Sequence, residues 1–207
     1  SMADEAHRQF GWVDDDMEEF VLGDKLITGA EISYNPPSSK TAGLIDAFEP
    51  KGSREKSIDM LNFYDRAGWE LHQYIVGVGF GSPLMALTGL NSMAGHLHGG
   101  TGVGKTTAQM ACLSLWGNPE DLMNAKDDTH NARMNRGEVM HSLPLVSDEM
   151  TNISSMQMSE YVYQVSGGRQ KNRLASNGNI ERTRGKPWQL LALSSGNTSA
   201  WEILSRD

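Results

Sequence analysis

The chain has 207 residues, 38% of them hydrophobic and 21% charged, which is ordinary for a globular protein able to bury a sizeable core. A net charge of −8 excludes a uniformly basic nucleic-acid coat, and a single cysteine excludes a disulfide framework or a cysteine-rich zinc site. The longest apolar stretch, Tyr74 to Leu90, is interrupted by Gly77, Gly79, Gly81 and Pro83, so no membrane span and no signal peptide is read, and a cytoplasmic location is expected.

Ser1-Met2 reads as a scar of tag removal ahead of a start methionine. Residues 1–19, with the acidic block Asp14-Asp15-Asp16-Met17-Glu18-Glu19, read as a flexible arm. Phe20 to Ile27 predicts a β-hairpin about Gly23-Asp24, and Asn35 to Thr41 is a linker by composition. From Ser53 the pattern turns helical. Leu71, Tyr74, Ile75 and Val78 recur at helical spacing as one apolar face, and Pro83 to Leu87 starts another short helix. Residues 20–92 are thus a small hairpin and a helical collar ahead of a core at 93–207.

Met93 to His98 predicts a strand, followed by Gly99-Gly100-Thr101-Gly102-Val103-Gly104-Lys105-Thr106, a complete G-x-x-x-x-G-K-[ST] loop. Its glycines let backbone N–H groups close on a polyphosphate, Lys105 reaches the outer phosphates, and Thr106 offers a hydroxyl to Mg²⁺. Thr107 to Trp116 predicts a helix whose positive end faces the same anion, so residues Gly99 through Thr107 are the expected nucleotide contacts. Ala108, Ala111, Cys112 and Leu115 give that helix its apolar face, with Cys112 a core residue, and Gly117 and Pro119 end it.

His141 to Glu149 is a mainly apolar run ending in paired carboxylates, the form of a Walker B strand. Asp148 is expected to hold Mg²⁺ opposite Thr106, and Glu149 to act as general base on water, which favours hydrolysis over kinase chemistry. Ser154-x-x-Gln157 reads as a capping box opening a helix that ends near Gly167-Gly168. Six of the 18 basic residues lie between Arg169 and Lys186, around an Asn177-Gly178 hairpin signal. A prong bearing Lys171, Arg173, Arg182 and Arg184 would meet a nucleic-acid backbone through phosphate charges; a solvated basic loop, or arginines reaching a neighbouring subunit's nucleotide, are the other readings.

Trp188 to Asn197 predicts a further strand. Lying between the loop strand and the Walker B strand, it would bring Asn197, or second Ser195, to the γ-phosphate and the attacking water as a sensor. His96 and His98 flank the loop strand without an acidic or thiol partner nearby, and His130 and His141 read as helix-end or surface residues, so no metal site built from protein side chains alone is expected. Met134, Met140, Met150, Met156 and Met158 read as core filler.

Taken together, these elements resemble an AAA+ ATPase of the helicase type, and more narrowly the Cch-like helicase ATPases of phages and mobile elements, related in plan to MCM and superfamily-three viral helicases. The residues carrying the resemblance are Gly99 to Thr106, Asp128-Thr-His-Asn-Ala132, Leu143 to Glu149, Tyr163-x-x-x-Gly167-Gly168-Arg169-x-Lys171 and Trp188 to Gly196, within a match running from about Leu44 to Trp201. The resemblance implies an α/β P-loop NTPase with a central parallel sheet flanked by helices, using ATP and Mg²⁺. It implies a replicative DNA helicase core that moves on single-stranded DNA by nucleotide-driven motion of the basic hairpin. It further implies a homo-oligomeric ring, a hexamer, with ATP between subunits and the hairpin lining a channel. An arginine finger and a helical lid are expected after the sensor strand, and Arg206 is not assigned as that finger, so a neighbour would complete the site. The alternatives are an ATPase that remodels or loads proteins, and a nucleotide-regulated binding module.

Overall fold

The structure is a computed structural model and describes residues 7–170 and 185–206. Its N-terminal part is an antiparallel sheet of β1 (Gly11–Trp12), β2 (Glu19–Leu22), β3 (Lys25–Thr28) and β4 (Ile32–Tyr34), paired in chain order. Leu22 pairs with Lys25, so the expected hairpin turns through Gly23-Asp24, with Gly23 at φ +62°. The expected flexible arm is corrected for its described part. Phe10 is fully buried against Phe48, the Phe10 amide donates to Val139 O at 2.8 Å, and Trp12 N–H donates to Ser142 Oγ. An aromatic pair at positions 10 and 12 outweighs the acidic residues that follow, because burying one large ring stabilises by about 2 kcal/mol.

A 3₁₀ helix, Ala42–Phe48, leads to α1 (Arg54–Tyr64), capped by the Ser53 side chain, and to α2 (Glu70–Gly81). Helix α2 packs on α3 (Lys105–Ser114), with Gly79 at the contact, and buries Ile75, Val76 and Val78. A Cβ on Gly79 would come within 2.8 Å of Cys112 O, so the close approach requires glycine there. This corrects the expected apolar face: α3 lies on the Gly79 side, and Leu71 and Tyr74 are left 55% and 57% exposed.

The second sheet is parallel, with β5 (Met93–His98), β7 (Leu191–Gly196) and β6 (Leu145–Ser147) in that spatial order. Around it lie α3, α4 (Pro119–Leu122), α5 (His130–Met140), α6 (Ser155–Gly167) and α7 (Ala200–Leu204). The Ser154–Gln157 capping box forms at the start of α6, and Gly168 closes it at φ +64°. Trp188, fully buried ahead of β7, donates its indole N–H to Val165 O at 3.2 Å. Four of the five methionines read as core filler are buried; Met156 is 76% exposed, since it sits on the outward face of α6. The buried side chains of sheets and helices form one cluster, from Phe10 and Val21 to Leu193 and Ile203. Among the described residues no helix is long and apolar enough to cross a membrane.

Candidate functional site

The strand order decides the site. Because β7 lies between β5 and β6, the loop after β5, the acids after β6 and the polar end of β7 meet at one edge. The loop turns through Gly99, Gly102 and Gly104 at φ +154°, +87° and +85°, conformations that L side chains rarely adopt. Gly104 is the N-cap of α3 and supplies no side-chain cap. The first amides of that ten-residue helix are therefore left for an outside acceptor. Lys105 Nζ donates to Gly99 O at 2.7 Å and Gly100 O at 2.9 Å, folding the ammonium back over the loop.

Thr106 Oγ1 donates to the Asp148 carboxylate, 3.1 Å from Oδ2 and 3.3 Å from Oδ1. Asp148 is held in turn: Ser195 Oγ donates to Oδ1, and the Glu149 amide donates to Oδ1 at 3.0 Å and to Ser195 Oγ at 3.3 Å. Glu149 is left-handed at φ +53°, an uncommon backbone for a non-glycine residue, and Met150 N–H donating to Ser195 O at 2.6 Å fixes the turn. Asn197 places its amide on Thr151 Oγ1 at 2.7 Å. The residues enclose a cleft of about 230 Å³ whose lining includes Gly102, Lys105, Thr106, Asp148, Glu149 and Asn197. Hollows of about 460 Å³ beside Trp116 and 500 Å³ beside His141 are larger, but neither joins a glycine loop to a carboxylate.

Of the expected residues, Thr101, Gly102, Gly104 to Thr107, Asp148, Glu149 and Asn197 line this cleft, whereas Gly99, Gly100, Val103 and Ser195 are not in its lining. Ser195, ranked behind Asn197 in the sequence, is the one that grips Asp148, because β6 pairs beside β7 and brings the carboxylate to it. Arg206, unassigned in the sequence, binds its own chain through Thr151 O and Thr198 Oγ1, both at 3.2 Å. His96 donates from Nε2 to Thr198 O at 2.9 Å and meets Ser194 Oγ through Nδ1 at 2.9 Å; burial lowers its pKa below the usual histidine value. Lys171, Arg173, Arg182 and Arg184 lie outside the described residues. On either side of them, Gln170 donates to the buried Glu138 at 2.9 Å, Gly185 packs against the same carboxylate, and Lys40 pairs with it. One residue with no sequence signal reaches the loop: His72 of α2, whose Nε2 donates to Val103 O at 3.0 Å.

Among the described residues, no group of three or more His, Cys, Asp or Glu could hold a metal ion. The Thr106 hydroxyl and Asp148 carboxylate are nonetheless hard oxygen donors, the set that suits Mg²⁺ when phosphate and water supply the remaining ligands.

Fold and cleft together define a mixed α/β protein with a glycine loop and an acidic strand end at the edge of a three-stranded parallel sheet. The chain belongs to the family described as DUF927, a domain of unknown function, which it matches over residues 4–186. Among solved structures it is similar to one described as SCCmec type IV Cch, an active helicase, with a TM-score of 0.65 and 17% sequence identity. That match covers 97% of this chain and 38% of the other, so the chain spans well under half of the structure it resembles, and what they share is a fold. No curated protein matches.

Proposed function

We propose that this chain is the ATP-hydrolysing core of a helicase-type motor, an AAA+-like P-loop NTPase akin to the Cch-like ATPases of phages and mobile elements. The observation that carries the reading is the Thr106–Asp148 hydrogen bond, which joins the glycine loop to the acidic strand end in one cleft with Lys105 and Glu149. The description of the structural neighbour as an active helicase supports the same class.

The amides of Gly99 through Thr107 would take the phosphates of ATP, with Lys105 exchanging the carbonyls of Gly99 and Gly100 for phosphate oxygens. Thr106 and Asp148 would hold Mg²⁺, which when bound offsets phosphate charge. Glu149 would take the proton of the attacking water, Asn197 would orient that water, and Ser195 would hold the Asp148 carboxylate in place. In this reading residues 93–207 are the motor core and 20–92 the collar. Single-stranded DNA would meet Lys171, Arg173, Arg182 and Arg184 in the channel of a homo-oligomeric ring, a hexamer, in the cytoplasm of the cell.

The test is binding of Mg·ATP by the full chain. Lys105→Ala should abolish it, and Glu149→Gln should retain it while hydrolysis is lost. Tight Mg²⁺-dependent binding that persists in Lys105→Ala removes the site. Replacing the four basic residues should weaken single-stranded DNA binding and flatten its salt dependence; unchanged DNA affinity removes the motor role and leaves a nucleotide-binding domain.

A further inference from the structure

We infer that His72, on the helix preceding the motor core, is a positioning residue that holds the phosphate loop open toward its anion. The inference rests on the nucleotide reading above and extends it to a side chain outside the loop motif. Helix α2 passes beside the loop, and His72 Nε2 lies 3.0 Å from Val103 O. A carbonyl can only accept, so Nε2 carries a proton and donates it to Val103 O. The other ring nitrogen, Nδ1, is buried and has no hydrogen-bond partner among the described residues. A ring placed for packing alone would have no reason to leave a buried nitrogen unpaired, which costs on the order of a lost hydrogen bond. The cost is explained if the donor is needed on the loop side.

The loop is built to receive the contact. Gly104 follows Val103 at φ +85°, and a Cβ there would stand 3.1 Å from His72 Nε2, so the imidazole sits directly over the turn. A loop that wraps phosphate must direct its amides inward and its carbonyls away. The Val103 carbonyl is the group that would oppose an anion if the peptide on either side of it rotated, and His72 fixes it outward. Behind His72 the ring is clamped by Trp69, with centroids 4.7 Å apart, and stacked near Tyr64 at 6.1 Å. Tyr64 is buried at the end of α1, and Gln73 donates to its carbonyl at 2.8 Å. Through His72 the collar therefore sets the shape of the loop, and Trp69 lies one ring away from it.

Two variants separate the donor from the ring. His72→Phe keeps the stack and removes the N–H, while His72→Gln restores an N–H without the aromatic ring. With a fluorescent ATP analogue and Mg²⁺ on the full chain, His72→Phe should bind about tenfold more weakly, the worth of one hydrogen bond, and His72→Gln should recover most of that loss. Without nucleotide, amide exchange at Gly104 and Lys105 should be faster in His72→Phe than in the parent, with exchange in β7 unchanged. Trp69 fluorescence should respond to Mg·ATP in the parent and lose that response in His72→Phe. Equal affinity and equal loop exchange in the parent and His72→Phe overturn this inference and leave the nucleotide site standing. If β7 exchange rises as well, the histidine is structural and the inference is overturned. A parent chain that binds no Mg·ATP removes the nucleotide reading, and this inference with it.

Discussion

The two sheets invert what their sequences would rank. Strand β4 is Ile32-Ser33-Tyr34, rich in side chains that favour strands, yet it is exposed throughout, with Ile32 at 66% and Tyr34 at 70%. Strand β7 is Leu-Ala-Leu-Ser-Ser-Gly, poorer in such side chains, and it is the central strand, buried along nearly its whole length. Burial comes from position in the sheet: a parallel strand flanked on both sides and covered by helices has no wet face. Small residues suit it, because Ser194 and Ser195 can then send hydroxyls to opposite faces, one to His96 and one to Asp148. The antiparallel sheet holds its place by the buried Val21 and by Phe10 just ahead of β1, while its last strand stays wet. The difference teaches that the candidate site is built on the part of the molecule where a single atom can be placed, and that the outer sheet is tolerant.

The largest expected effect tests that contrast directly. Leu193→Ala in β7 should cost about 2–5 kcal/mol in urea unfolding, while Ile32→Ala in β4 should stay within about 0.5 kcal/mol; similar costs would break the comparison. Next is Ser195→Ala, which leaves Asp148 without its hydroxyl donor on that side. It should cost about 1–3 kcal/mol and lower Mg²⁺-dependent ATP hydrolysis more than nucleotide affinity. A variant that hydrolyses normally would take Ser195 out of the site.

A smaller effect is expected from pH. Burial holds the pKa of His96 and of His141 below the ordinary 6.5. Below 6.5 the unfolded chain takes up protons that the native imidazoles refuse, so the contribution of these rings is complete above 6.5 and is lost as pH falls toward their native values. The urea midpoint should therefore drop between about pH 7.5 and pH 5.5, and His96→Gln should flatten the slope; a midpoint that rises on acidification contradicts the burial argument. The smallest effect concerns Cys112, whose thiol is fully buried against α2 and pushed up to about 12 by desolvation. It should resist alkylation in the native chain and react only on unfolding; native reactivity would mean that α2 and α3 separate.

Much of the core was readable because it rests on local rules. The strand Met93–His98, the glycine loop, the Ser154–Gln157 cap and the Gly23-Asp24 turn are each set by neighbours a few residues apart, and each forms as read. The paired acids after the apolar run were legible for the same reason, since the strand carries them to its end. The part played by the N-terminal residues was not legible, because Phe10 gains its burial from Phe48 and its amide partner from Val139. The exposed face of α2 is not legible either, because its periodicity does not say which side α3 will take.

What the sequence determined by itself was the inventory: a glycine loop, two carboxylates after a buried strand, and a polar end on a third strand. The tertiary structure alone decided their mutual positions. It set β7 between β5 and β6, gave Asp148 to Ser195, and laid His72 against the loop from a helix far earlier in the chain. The physical reason is that spacing along the chain fixes which face a side chain occupies, whereas its partner across the sheet is fixed only when the whole core closes around it.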